Sequence, residues 1–333
     1  MMMSETGEVS QTVPSHMAAQ SEPLKDTWPG THKFLCNGRI MVGPDIGVTA
    51  FAAILTTGVS LAFWLLVCPS LPLGVLLGGI ALYGIVMLFM VLTSTSDPGI
   101  VPHNSLLDDA EATASMQQPN EVEINGVSVT LKWCRTCRIW RPPRASHCSE
   151  CNVCVDKFDH HCPWMGQCIG KRNYRYFLGF VASVTALCVY TALASLVVFL
   201  RAAAAVEAAL ALDIVSQAAE REPAACATLV FPAVILLCVS PLGCYHAALV
   251  CNNRTTNEEI KVPYGADNPF ERGWPQNCHE ACCEAGARKV RPAAAAALAL
   301  QPAADPAEDA AAALRPAEEL EPADEEDGRL RVV

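Results

Sequence analysis

The chain has 333 residues, 52% of them hydrophobic and only 17% charged, and its mean hydropathy is positive. That composition excludes an ordinary soluble domain and points to several membrane spans. The formal net charge of −11 says little about partners, because much of the acid lies in the last thirty residues, and no nucleic-acid partner is expected.

Taken in order, residues 1–47 form an N-terminal segment outside the membrane. Residues 1–23 are polar and aperiodic, the pattern of disordered chain. Residues 27–45 mix aromatic, glycine and basic residues; there Trp28 and Phe34 act either as interfacial anchors or within a loop packed on the protein. Val48 to Cys68 is a nearly unbroken apolar run, Pro69-Ser70-Leu71-Pro72 interrupts it, and Leu73 to Leu92 is a second run. Residues 48–92 therefore predict an antiparallel pair of membrane helices.

Residues 93–132 read as a linker, with a turn signal at Asp97-Pro98-Gly99, a flexible acidic stretch over 103–120, and Asn125-Gly126 predicting a small β-hairpin. Residues 133–176 are the cysteine-rich module, and 177–200 are the third span. The loop 201–227 predicts a short Ala-rich helix, and 228–250 are the fourth span, in which Pro232 and Pro241 are tolerated. Residues 251–291 carry T-T-x-E, which predicts a capped helix with Thr255 or Thr256 at the cap and Glu258 or Glu259 in the first turn. Cys278, Cys282 and Cys283 are expected to be thiols near lipid, themselves open to S-acylation. Residues 292–333 read as a disordered acidic Ala/Pro-rich tail.

Basic residues crowd between spans two and three: Lys132, Arg135, Arg138, Arg141, Arg144, Lys157, Lys171, Arg172 and Arg175. The first interhelical loop has none, so both termini and the module are expected to be cytoplasmic. The first forty-odd residues hold no signal-peptide apolar core, which likewise favours a reducing compartment and metal over disulfides.

The module reads C-R-T-C from Cys134 to Cys137, H-C-S-E-C-N-V-C from His147 to Cys154, and D-H-H-C-P-W-M-G-Q-C from Asp159 to Cys168. Such C-x2-C pairs are spaced to wrap tetrahedral Zn²⁺. Two four-coordinate sites need eight ligands and the stretch offers ten candidates, so two are left over. The leftovers are expected in D-H-H-C, although spacing does not decide between His160 and His161. A thiol left unligated beside a spare imidazole and Asp159 has the makings of an activated nucleophile.

The full pattern, C-x2-C-x9-H-C-x2-C-x2-C-x4-D-H-H-C-x5-C-x4-N-x3-F through Asn173 and Phe177, resembles the cysteine-rich domain of the DHHC protein S-acyltransferases (palmitoyltransferases). The resemblance covers roughly residues 27–275, where D-P-G and T-T-x-E also match and Tyr264 and Asn268 match loosely. It implies an α-helical polytopic membrane protein with four transmembrane helices and a small cytoplasmic zinc-binding domain between spans 2 and 3. It also implies one structural zinc on Cys134, Cys137, His147 and Cys154, and a second on Cys148, Cys151, His161 and Cys168.

The implied chemistry is transfer of a long-chain acyl group from acyl-CoA to cysteines of protein substrates. Cys162 is then the nucleophile, His160 its base, and Asp159 the carboxylate that holds the base. Basic residues around the module are expected to attract coenzyme A phosphates. The acyl slot is expected beneath Cys162, lined by Phe180, Val184 and Leu187, with Trp164 either at its mouth or a plain interfacial anchor. The implied setting is the bilayer of the Golgi, endoplasmic reticulum or plasma membrane, and an accessory subunit is admitted as a partner. The alternative is a catalytically inactive zinc-binding membrane scaffold, disfavoured by the intact D-H-H-C. A cross-braced ubiquitin ligase needs a closing C-x2-C, which is missing after Cys168. A transporter is disfavoured because the four spans carry no Asp, Glu, Lys or Arg.

Overall fold

Four long apolar helices carry the molecule. In this computed structural model residues 28–104, 112, 113, 116, 120–207, 210–261 and 268–283 are described. The sequence expectations for 1–23, for most of 103–120, for Tyr264 and for the acidic tail lie outside the described residues.

The first helix, α1 (Ile46–Ala62), continues through a π-helical turn (Phe63–Val67) and a 3₁₀ turn (Cys68–Ser70). Pro72 ends the connection, and α2 (Leu73–Thr95) runs back. The third span, α3 (Tyr174–Ala204), is followed by the short helix α4 (Ala211–Arg221) and the fourth span, α5 (Pro223–Cys251). Each long helix is apolar and long enough to cross a bilayer. Leu65, Leu77, Leu193 and Leu237 point outward and are exposed, as side chains facing lipid are. The 31 residues of α3 run about 46 Å at about 1.5 Å each, against about 30 Å of hydrocarbon, so one end projects from the membrane. That overhang carries Tyr174 into the candidate site.

The spans are joined by a few polar bonds. The Thr57 and Tyr83 hydroxyls meet at 2.8 Å between α1 and α2, the Tyr190 hydroxyl donates to the Val75 carbonyl at 2.9 Å, and Ser195 meets Thr228 at 2.8 Å between α3 and α5. Such bonds hold helices together where lipid removes the hydrophobic drive between them. Gly179 lets α3 approach α2 closely, since a Cβ there would lie 2.5 Å from the Phe89 ring.

The remaining structure is a set of small antiparallel ladders: β1 (Lys33–Leu35) with β2 (Ile40–Val42), β3 (Ile100–Val101) with β9 (Val153–Val155), and β4 (Glu121–Ile124) with β5 (Val127–Thr130). Further pairs are β6 (Trp133–Cys134) with β7 (Ile139–Trp140), β8 (Ser146–Cys148) with β9, and β10 (His160–Cys162) with β11 (Gln167–Ile169). Asn125 and Gly126 form the β4–β5 turn, both with positive φ as that tight turn requires. Two short helices, α6 (Thr256–Lys261) and α7 (Trp274–Cys282), follow the last span.

The segment before α1 lies on the cysteine-rich module. The Thr31 amide donates to the Cys151 carbonyl at 3.0 Å, and Trp28 packs against the cluster holding Cys148, Cys151 and Cys168. Trp28 also meets Phe34 edge-on at 5.4 Å. Of the two sequence readings of this segment, the packed loop is the one found, because Trp28 has a protein core to enter.

Candidate active site

Two knuckles shape the module. In each, the second cysteine's amide points at the first cysteine's sulfur, Cys137 N to Cys134 Sγ and Cys151 N to Cys148 Sγ, both at 3.4 Å. The next residue, Arg138 or Asn152, turns the chain back with φ near +54. On β8 and β10 successive side chains point to opposite faces. His147 therefore faces Cys154 across the β8–β9 ladder, while its neighbour Cys148 faces the other way. On β10 the same alternation pairs His161 with Cys168 and leaves His160 and Cys162 together on the opposite face.

The result is two buried Cys₃His groups, Cys134/Cys137/His147/Cys154 and Cys148/Cys151/His161/Cys168, whose donor atoms lie within 4.8 Å of one another. His147 Nδ1 is 3.6, 3.4 and 3.9 Å from its three sulfurs, and His161 Nδ1 is 3.6, 3.4 and 3.7 Å from its own. A tetrahedral zinc with ordinary Zn–S and Zn–N bonds has an S···N edge of about 3.6 Å, so both sets fit zinc. His161 turns its Nε2 to Asp45 Oδ2 at 2.9 Å, the carboxylate–histidine arrangement that fixes a metal ligand's ring. His103, unremarked in the sequence, sets its Nε2 3.1 Å from Cys137 Sγ. Cys282 and Cys283 are exposed and belong to neither group.

The D-P-G turn anchors the module to α2. Asp97 Oδ1 accepts the Gly99 and Ile100 amides at 2.8 and 2.9 Å, and its other oxygen meets the Arg172 guanidinium. Asn173 braces the start of α3, accepting the Gly170 amide at 2.9 Å and donating to the Cys168 carbonyl at 2.9 Å.

His160 and Cys162 both pack against Phe177 of α3. His160 Nδ1 meets Asp159 Oδ2 at 2.6 Å, which leaves Nε2 free for the Cys162 thiol on the same face of β10. Burial lowers the His160 pKa, but the bonds and charges of Asp159 and Cys162 outweigh it and raise it to about 9. Burial likewise disfavours the Asp159 carboxylate, yet His160 and the Thr256 amide hold its pKa below the usual range. Cys162 is buried in an apolar cluster with Met90, Met165, Ile169, Phe177 and Val181, against which Phe180 packs. Val184 and Leu187 lie farther along α3 from that cluster, Leu187 buried and Val184 half-buried. Trp164, two residues after the cysteine, is 55% exposed.

The T-T-x-E segment closes the other side. Thr255 is the cap: its Oγ1 accepts the Glu258 amide at 3.2 Å while Glu258 Oε2 accepts the Thr255 amide at 2.9 Å. Thr256 is thereby freed to serve Asp159, its amide on Oδ1 at 2.9 Å and its hydroxyl on Oδ2 at 2.8 Å. Arg144 grips Glu258 with both ends of its guanidinium, each at 2.7 Å, and reaches Asn253 as well.

A family model for the DHHC palmitoyltransferases matches residues 128–263. The chain is 36% identical to Probable protein S-acyltransferase 2 of Arabidopsis thaliana, over 76% of this chain and 66% of that protein. It is 36% identical to Protein S-acyltransferase 8 of the same plant, over 80% of this chain and 69% of that protein. This chain belongs to the DHHC palmitoyltransferase family. It is also 36% identical to Palmitoyltransferase ZDHHC14 of Homo sapiens, over 80% of this chain and 58% of that protein. The chain thus spans about two thirds of the length of the first two of these relatives.

In this DHHC chain the basic residues read from the sequence as one group have separate fates. Arg144, Lys157, Lys171 and Arg172 are held by Glu258, Glu280, Asp156 and Asp97. Lys132 and Arg135 stay exposed. Two more residues of the DHHC site escaped the sequence reading altogether. His246, buried in α5, and Tyr174, at the start of α3, meet through the Tyr174 hydroxyl and His246 Nδ1 at 3.0 Å. An imidazole in a span otherwise free of charged residues was the available signal.

Proposed function

We propose that this chain is a protein S-acyltransferase that moves a long-chain acyl group, palmitoyl or similar, from acyl-CoA to cysteine thiols of substrate proteins through a thioester on Cys162. The observation that carries the reading is the split within D-H-H-C: His161 joins a metal group while His160, backed by Asp159, shares a face of β10 with the one module thiol outside both groups.

In the first step His160 takes the Cys162 proton and the thiolate attacks the thioester carbonyl. The coenzyme A thiolate leaves and receives the proton from His160. In the second step a substrate cysteine gives its proton to His160 and attacks the Cys162 thioester; the Cys162 thiolate leaves and is reprotonated. One thioester is exchanged for another, so little driving force is needed. Zinc supplies structure here: bound by each Cys₃His set, it holds the knuckles and ladders that aim His160 and Cys162.

The apolar cluster around Cys162 includes Phe177 and Val181 of α3, which supports a slot running past Phe180 to Val184 and Leu187, with Trp164 at the mouth. With about fourteen methylenes at about 0.8 kcal/mol each, burial of the chain contributes most of the recognition energy. Lys132 and Arg135 are the exposed cations best suited to coenzyme A phosphates. The Lys/Arg excess between spans two and three supports cytoplasmic termini, in an endomembrane (Golgi or endoplasmic reticulum) or the plasma membrane.

The test uses purified full-length protein in lipid nanodiscs with palmitoyl-CoA. A hydroxylamine-labile palmitoyl group on Cys162 is expected, and none on Cys162→Ser with both zincs retained. Equal labelling of that variant would place the nucleophile elsewhere, and no labelling of either favours the scaffold alternative.

A further inference from the structure

The mechanism above uses one imidazole, yet a second lies against it. His246 sits near the end of α5, 2% exposed, in a helix that would otherwise pass the module with an apolar face. One of its ring nitrogens lies within 4.8 Å of an Asp159 carboxylate oxygen and of a His160 nitrogen. Its Nδ1 is engaged by the Tyr174 hydroxyl at 3.0 Å. The His160 ring is thus boxed: Phe177 meets it edge-on at 5.2 Å, and His246 lies tilted against it at 5.9 Å. Phe177 meets His246 as well, at 4.9 Å, so the three rings form one packed unit.

A buried imidazole in a membrane span is costly unless its nitrogens are used. Tyr174 satisfies one nitrogen, and the ring has the Asp159–His160 pair as its polar neighbourhood. An aliphatic side chain would fill the same space without that cost. The chemistry also needs what such a neighbour provides. The Asp159 bond ties His160 at Nδ1, and that bond by itself leaves the ring free to rock. Its Nε2 must stay on the Cys162 sulfur through two proton transfers.

We infer that His246, hung from the Tyr174 hydroxyl, is a positioning residue for the Asp159–His160 pair, holding the His160 ring so that Nε2 faces Cys162. The inference rests on the proposed acyl-transfer role of Cys162, and α5 thereby contributes to the site from within the membrane as well as through T-T-x-E beyond it.

Three variants of the full chain in nanodiscs test this: His246→Phe keeps ring packing without nitrogen, His246→Asn keeps a polar group near the Nδ1 position, and Tyr174→Phe removes the hydroxyl alone. The first readout is acyl-enzyme formation with palmitoyl-CoA. The second is peptide-resolved alkylation of Cys162 by iodoacetamide, which reports the His160–Cys162 pairing whether or not the protein transfers acyl groups. His246→Phe is expected to slow both by about 10- to 100-fold, the scale on which small misplacements of reacting groups act. The KM for palmitoyl-CoA should stay within about twofold and both zincs should remain bound. Tyr174→Phe should show the same loss in milder form, His246→Asn should recover part of it, and Tyr174→Phe with His246→Phe should be no slower than His246→Phe alone. Wild-type alkylation and acylation rates in His246→Phe overturn the inference. If that variant does not fold, wild-type rates in Tyr174→Phe overturn it instead. A wild-type protein that forms no acyl-enzyme, yet whose Cys162 alkylation depends on His246, separates failure of the acyl-transfer reading from failure of the positioning role.

Discussion

The Thr256 hydroxyl lies 2.8 Å from Asp159 Oδ2, and the Thr256 amide lies 2.9 Å from Oδ1 of the same carboxylate. The group that orients His160 is therefore itself oriented by a residue beyond the fourth span. Thr256→Val removes the hydroxyl bond and keeps the amide bond. It should lower acyl-enzyme formation about tenfold, with zinc content and expression unchanged, as measured by single-turnover labelling beside metal analysis. Wild-type rates would show that the amide alone suffices.

Within D-H-H-C, neighbouring residues should fail differently. Cys162→Ser should keep two zincs and form no thioester. His160→Ala should keep zinc and lose about 10²–10⁴-fold in rate, the usual worth of general-base help. His161→Ala removes a ligand and should lower zinc content and thermal stability, and Asp159→Ala should keep zinc with a rate loss of its own. Reversal of the two histidine results would reverse the ligand assignment.

Arg144 and Glu258 form a buried pair, their side chains 6% and 5% exposed. Glu258→Ala leaves the buried guanidinium with no carboxylate nearer than Glu280 at 3.8 Å and should destabilise by up to about 3–5 kcal/mol. It also removes half of the Thr255 capping box. Thermal unfolding in detergent checks this; Glu258→Gln, which keeps hydrogen-bonding atoms in place, should lose less. An unchanged melting temperature in Glu258→Ala would mean that solvent reaches Arg144 once the partner is gone.

Metal removal should act through the fold. Because the knuckles and ladders are shaped around the Cys₃His sets, extended treatment with a strong chelator should release two zincs per chain. Release should abolish Cys162 acylation and expose the module to limited proteolysis, with the apolar helices still protected. Full activity after loss of both metals would separate the module's fold from zinc.

Acyl-chain length should respond to the deep face of α3. Leu187 is ten residues beyond Phe177, about 15 Å along the helix. Leu187→Trp should shift the acyl-enzyme profile toward shorter acyl-CoAs without loss of zinc. An unchanged profile would move the slot to another face.

What the sequence determined by itself was local. The C-x2-C knuckles, the apolar runs, the Asn125-Gly126 hairpin and the presence of a capped T-T-x-E helix all depend on residues a few positions apart, where spacing dictates which side chains meet. It left open which threonine caps α6 and whether the segment around Trp28 lies on lipid or on protein. Those were decided by tertiary packing, as were the Asp45–His161 bond, the grip of Thr256 on Asp159, the Arg144–Glu258 pair and the place of His246. The physical reason is that such partners lie on different elements, brought together only when the spans and the module close on one another. A buried carboxylate, imidazole or guanidinium then takes whichever partner the fold delivers, and no spacing along the chain records which partner that is.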